Sequence, residues 1–229
     1  MFYQWDFAFL LRYTPLFWKG VLVTLAYTVA TILLGLIIGL LIGLGRLSRS
    51  KLLNIPLIAF IEAFRCTPLL VQIVWFYYAL PVLLNIQIPA TTAAVLVLSC
   101  YTGAFYAEIF RGGIVSIERG QWDAARALGL SYPHQLRLVI IPQAIKIASP
   151  PTVGIMVQLL KGTSLASIIG FAELTRAAQM VNNATFRPLT VYAIVAMLYF
   201  ALCWPLSLLG QHMERRLNLE HLPVVKLQA

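Results

Sequence analysis

From Gly20 to Gly45 the chain runs 26 residues without a single charge. About 20 such residues suffice for a helix to cross the hydrocarbon core of a bilayer. That run commits the chain to a membrane, and other apolar stretches extend the commitment. Cys66 to Ala107 is uncharged but broken by Pro81 and by Ile88-Pro89-Ala90, which divides it into two crossings. Ile147 to Phe171 is interrupted by one lysine, and Pro188 to Met213 carries no charge. Five spans follow, at about 20–45, 56–80, 90–111, 147–171 and 188–213. The expected fold is an all-α polytopic membrane protein, one transmembrane domain over residues 1–229. Its mean hydropathy of +0.84 and 11% charged residues exclude a soluble domain.

Lys and Arg in the connections set the orientation. Arg46, Arg49, Lys51, Arg111, Arg119, Arg126, Arg137, Lys146, Arg215, Arg216 and Lys226 lie on one side, eleven in all. Arg12, Lys19, Arg176 and Arg187 lie on the other, and Arg65 and Lys161 fall within spans. This bias predicts an N-terminus outside and a C-terminus inside. The net charge of +9 is therefore a topology signal and not a nucleic-acid patch, because the cations are scattered over several connections. The first 19 residues hold Asp6, Arg12 and Lys19 among aromatics and do not read as a signal peptide. Phe2, Tyr3, Trp5, Tyr13, Phe17 and Trp18 are expected at the outer interface. Cys66, Cys100 and Cys203 follow no metal-ligand spacing, so no metal site is expected; they read as small buried hydrophobes.

A polar island, Glu118 to Pro142, stands apart from the spans, within a cytoplasmic loop of about 113–146. Gly120 to Gly129 reads as a short helix. Asp123 lies near its start, Arg126 is placed to pair with Asp123 across a turn, and Gly129 ends it. Ala124, Ala125 and Ala127 keep its surface low, while Trp122 and Leu128 offer apolar contact. By physics alone this is either an ordinary surface helix or a grip for a soluble partner.

The island resembles the EAA signature of permease subunits of bacterial ABC importers: Glu-Ala-Ala, three residues, Gly, nine residues, Ile-x-Leu-Pro. Here Asp123-Ala124-Ala125, Gly129 and Val139-x-Ile141-Pro142 keep that spacing. Arg65-Cys66-Thr67-Pro68-Leu69-Leu70-Val71-Gln72 is similar to the Arg-Gly-Thr-Pro-Leu-Leu-Val-Gln of the polar amino acid uptake branch. Glu108–Ile114 resembles the segment before its EAA loop, and Lys161-Gly162-Thr163-Ser164-Leu165 its Lys-Asp-Thr-Ser-Leu. The resemblance covers essentially the whole chain and implies the type I importer fold of a bacterial inner-membrane protein. It also implies ATP-driven import of amino acids by alternating access. Its implied partners are a second permease chain, the same or homologous, a cytoplasmic ATPase dimer, and a periplasmic or lipid-anchored binding protein. No Gly-x4-Gly-Lys-Ser/Thr occurs, so the chain is not expected to be an enzyme; ATP and magnesium belong on the ATPase. Gly120, Trp122, Asp123, Ala124, Ala125, Leu128 and Gly129 are the expected coupling residues.

Within the spans, Lys161 is the costliest residue. It is placed at the midpoint of the fourth span, where a charge costs about 2.5–3.5 kcal/mol on insertion scales. It either meets a substrate carboxylate, lines the pathway, or pairs structurally. Thr163, Ser164 and Ser167 follow at near-helical spacing, either as pathway hydroxyls or bonded back to their own carbonyls. Gly162 replaces a common family aspartate, which implies that an acidic contact to a cationic substrate comes from a different permease chain. Gln72, Ser99, Tyr101 and Thr102 are further pathway candidates. Glu62–Arg65 and Glu108–Arg111 are i, i+3 pairs. Trp75–Tyr78 reads as an outer aromatic belt, Gly35, Gly39 and Gly43 as a packing stripe, and Glu173 to Pro188 as an outer loop. The competing readings are a permease for an opine, ectoine or cystine, and an ATP-independent secondary transporter. Five spans show no matching halves for the latter.

Overall fold

A computed structural model describes residues 10–48 and 50–217. Phe2, Tyr3, Trp5, Arg49 and Lys226 lie outside the described residues. Every described element is helical. In chain order these are α1 (Leu10–Gly45), α2 (Lys51–Arg65), α3 (Leu69–Leu84), α4 (Ala90–Val115), α5 (Arg119–Ala127), α6 (Tyr132–Ile169), α7 (Leu174–Thr185) and α8 (Pro188–Arg216). Helices α1, α4, α6 and α8 are each long and apolar enough to cross a membrane, and the bent α2–α3 pair, counted as one crossing, makes five.

Two parallel spans form the centre. Gly35 faces Thr102 and Gly103, Gly39 faces Tyr106 and Ala107, and Gly43 faces Ala107 and Phe110. A methyl group at Gly35 would overlap the Thr102 hydroxyl, and one at Gly39 the Tyr106 side chain. Lipid is as apolar as leucine, so helices associate in it largely through close van der Waals contact, and small residues permit the approach. The glycine stripe continues along α1 as the buried Thr24, Thr28 and Thr31. Thr31 Oγ1 donates to the Tyr27 carbonyl at 2.7 Å, so the hydroxyl adds no unmet donor.

The other spans follow from this pair. Helix α6 runs antiparallel to α4, with Ala144 and Ala148 at Gly113 and Gln158 Nε2 donating to the Tyr101 hydroxyl at 2.9 Å. Helix α8 starts against the first turns of α1 and α7, where Phe17, Val21, Leu174, Val181, Val191 and Val195 share a core. It ends with Gly210 beside Val153. One face of the bundle thus carries the ends of α1, α4 and α8 together with α5, and the other carries α7.

The structure corrects several expectations. The second span is not straight: α2 and α3 meet at 106°. The fourth is α-helical only to Gly162, continues as a 3-10 segment, Thr163–Ile169, and stops at Gly170 with φ +82°. Glu173 to Pro188 is no loop; α7 is amphipathic, burying Leu174, Ala177, Ala178 and Val181 at helical spacing. Phe17 is core and not interface, because α1 already begins at Leu10 and carries it inward. Cys66 is exposed because it sits in the break between α2 and α3.

The stripe yields a test. Gly39→Val should cost about 1–3 kcal/mol through overpacking. It is expected to lower the temperature at which the detergent-purified chain loses its monodisperse elution peak. Gly112→Ala, with nothing within 4 Å of the added carbon, should leave that temperature unchanged. Equal melting of the two variants would refute the close seam.

Candidate functional site

Helix α5 stands outside the spans. It starts one residue earlier than the sequence implies, which moves Asp123 from the first turn to the middle of nine residues. Asp123 Oδ1 and Arg126 Nη2 pair at 3.4 Å, with both side chains about two-thirds exposed. The end is a Schellman motif: Gly129 N–H donates to the Arg126 carbonyl and Leu130 N–H to the Ala125 carbonyl. Gly129 has φ +73°, a conformation that favours glycine. Leu128 is 78% exposed and Ala124 is exposed, whereas Ala125 is buried. Ala125 therefore seats α5 on the rest of the chain and cannot form part of its outer surface. Trp122 stacks on Tyr132 with ring centroids 6.2 Å apart, and Gln143 Nε2 donates to Gln121 Oε1 at 3.2 Å. Both contacts tie α5 to the beginning of α6. A π-helical turn, Leu136–Ile140, lies between them.

The second region is the pair of breaks. Pro68 has no N–H, so the Phe64 carbonyl, four residues earlier, lacks its helical donor. Gln72 Nε2 takes that role at 2.9 Å and also reaches the Thr67 carbonyl at 3.0 Å and the Thr67 hydroxyl at 2.7 Å. The Thr67 hydroxyl in turn donates to the Ala63 carbonyl at 2.6 Å. Gln72 is thus a buried clip across the bend. Leu69, the first residue of α3, packs on Gly162, where an added Cβ would meet Leu69 Cδ2 at 3.1 Å. The two helix breaks therefore touch.

Lys161 lies one turn beyond Gln158, about 5 Å along the axis from the level of Tyr101 near the middle of α4. It is exposed, and among the described residues no carboxylate lies within ion-pair distance of it. Glu62, Arg65, Cys66 and Thr67 are exposed on the rim of the other break. Arg65 lies 4.0 Å from Glu62 and 5.5 Å above the centre of the Phe105 ring. Glu108 holds Arg111 through Nη2 at 2.7 Å and has Arg46 at 3.7 Å.

The other sequence-named residues are placed differently. Thr163 is fully buried and donates to the Leu160 carbonyl at 2.7 Å; Ser164 donates to the Lys161 carbonyl at 2.7 Å. Gly162, Ser99 and Thr102 are buried inside this protomer, and Tyr101 nearly so. Lys161 is the one exposed member of the set, with Ser164 half-buried beside it.

Sequence reasoning missed Glu173, the one charged residue that is fully buried among the described residues. Burial pushes its carboxyl above the usual carboxylate range, while hydrogen bonds from the Thr175 and Arg176 N–H groups and from Tyr199 act against that shift. The missed signal is an acidic residue three positions after Gly170, at the N-cap of α7.

Comparison with known proteins places this geometry. The family model described as "Binding-protein-dependent transport system inner membrane component" matches residues 32–219. The glutamine transport system permease protein GlnP of Escherichia coli (strain K12) is 37% identical over 217 residues, covering 94% of this chain and 99% of that protein. The arginine transport system permease protein ArtQ of Bacillus subtilis (strain 168) is 33% identical over 213 residues, covering 93% and 97%. A crystal structure of an amino acid ABC transporter with histidines matches at TM-score 0.88 and 38% identity, over 93% of this chain and 100% of that one. The MetNI methionine ABC transporter, inward facing, matches at TM-score 0.71 and 22% identity, which shows a common fold.

The clip is directly testable. Gln72→Leu removes the replacement donor for the Phe64 carbonyl, and an unsatisfied buried acceptor costs about 1–3 kcal/mol. The variant should unfold at lower temperature and show faster hydrogen exchange over residues 62–72, with residues 90–115 unaffected. Wild-type exchange across the bend would mean that Gln72 is not what holds it.

Proposed function

The chain belongs to the family of binding-protein-dependent transport system inner membrane components, and from that premise we propose that it is the permease subunit of an ATP-driven importer of amino acids. The observation that carries the reading is α5: an exposed short helix with the EAA spacing, outside the spans, tied to the start of α6. The ends of α1, α4 and α8, on the same face, bring Arg46, Arg111 and Arg215 to it and the beginning of α6 brings Lys146, so by the positive-inside rule that face is cytoplasmic. The N-terminus is then outside and the C-terminus inside.

A separate ATPase grips α5 through Gly120, Trp122, Asp123, Ala124, Leu128 and Gly129. Ala125 supports the helix from behind. Displacement of α5 passes to α6, whose α-helical part from Ile141 to Gly162 is about 33 Å long at 1.5 Å per residue. Its far end is the break beside Lys161. Because the break in α6 touches the break at Pro68, movement of either shifts the other, and these are the hinges of alternating access. ATP and magnesium stay on the ATPase; this chain supplies geometry.

Among the described residues no carboxylate lies within ion-pair distance of Lys161, so its charge is met by a substrate carboxylate or by a second permease chain across the pathway. Gln72, Ser99, Tyr101, Thr102, Gly162, Thr163 and Ser164 shape the wall behind it. Gly162 contributes no acid, so a cationic side chain finds its counter-charge on another chain. The glutamine and arginine permeases among the relatives support amino acids as the substrate class. A binding protein delivers them to the α7 face.

Gly129→Val forces a β-branched residue into positive φ and should disrupt the end of α5. Together with Asp123→Arg it is expected to reduce co-purifying ATPase at least tenfold. The permease should remain monodisperse, because α5 lies outside the bundle. Undiminished ATPase in the double variant would falsify coupling through this helix.

A further inference from the structure

Glu173 lies at the junction of three spans. Its Oε1 accepts from Arg176 N–H at 2.8 Å, and its Oε2 from Thr175 N–H at 2.8 Å and from the Tyr199 hydroxyl at 2.7 Å. Two of these bonds cap α7; the third crosses to α8. The Tyr199 oxygen also stands 3.2 Å from Thr175 Oγ1, and further along α7 Gln179 Nε2 donates to Ser167 Oγ at 3.3 Å. Ser167 belongs to the 3-10 segment, Thr163–Ile169, that follows Lys161 and Gly162. The adjacent Leu174 N–H donates to Thr24 Oγ1 of α1 at 3.1 Å.

Capping alone does not account for this arrangement. A shorter carboxylate at the surface caps a helix as well and avoids the cost of burying a charge. No cation lies within ion-pair distance of Glu173 among the described residues, so three hydrogen-bond donors and the helix N-terminus hold it. Removing the Tyr199 donor leaves that carboxylate under-solvated and takes away the polar bond from α7 to α8, leaving only their shared apolar core.

We propose that Glu173 is a positioning residue for transport: through Tyr199 it latches α7, and with it the Thr163–Ile169 segment bonded to α7 at Ser167, to α8, and so sets where the outer half of α6 stands beside Lys161. The proposal rests on the reading of the chain as a transport permease. The latch fixes the reference against which α6 moves, so its loss slows the cycle without altering the groups that meet substrate.

Two variants separate latch from cap. Tyr199→Phe removes the crossing bond and leaves the cap. Glu173→Asp keeps a good N-cap residue but is one methylene too short to reach Tyr199 from the same backbone. Two measurements are needed: hydrogen exchange on the purified chain, and uptake by the complete transporter. The transporter, this chain with its ATPase and binding protein, is placed in proteoliposomes with radiolabelled L-glutamine, L-arginine or L-cystine. Both variants should speed exchange over residues 163–169 several-fold while residues 141–160 stay as in wild type. Both should lower kcat for uptake about fivefold with KM changed less than twofold, and the double variant should be no worse than either single one. The latch is overturned if Glu173→Asp behaves as wild type, or if the two changes add. If the wild-type transporter carries none of the three substrates, the transport reading fails for them, and the exchange result still decides whether the latch exists.

Discussion

At membrane depth no water supplies a hydrogen bond, so every backbone carbonyl freed by an interrupted helix needs a donor from the protein itself. The rest of the structure depends on how that demand is met. Pro68 breaks the second span and leaves the Phe64 carbonyl open; Gln72 and Thr67 close the gap from within the same segment. The fourth span relaxes into a 3-10 segment, and Thr163 and Ser164 return their hydroxyls to carbonyls of the preceding turn. Both interruptions thus carry side chains that bond to nearby carbonyls, and the two meet near the level of Lys161.

Rigid lengths of helix connect these soft points to the surface. Helix α6 joins α5 at one end and the lysine-bearing break at the other. A π-helical turn, Leu136–Ile140, lies near its start. The charges are layered along the same axis: exposed Asp123 and Arg126 on α5, the half-buried Glu108 shared by Arg111 and Arg46, then Lys161, which no carboxylate among the described residues pairs.

Much of this was legible in the sequence, and the exceptions have physical causes. Charge-free length located the crossings, and glycine at every fourth residue announced a packing face on α1, since both properties belong to a single helix; the partner, α4, does not. The EAA spacing located α5 to within a residue, but not the inward turn of Ala125, which depends on what lies beneath it. The bend at Pro68 escaped because a proline in a membrane span is compatible with a mere kink; nothing in the sequence distinguishes that from the 106° turn that Gln72 reaches across. Gln72, Ser99 and Thr102 read as pathway residues because polarity inside a span marks either function or local repair, and only the partner of each group distinguishes the two. Glu173 was hidden for the converse reason: a glutamate between spans reads as solvated.

The parallel course of α1 and α4 carries a consequence for biogenesis. Two spans with the same direction cannot be neighbours in the chain, so the α2–α3 crossing must be synthesised and turned back before the glycine seam can close. Until then α1 sits in lipid with its stripe of glycine and threonine facing acyl chains, a poor surface for either solvent. Membrane insertion of this protein therefore has a built-in order: the first helix enters first and is docked only when the third arrives.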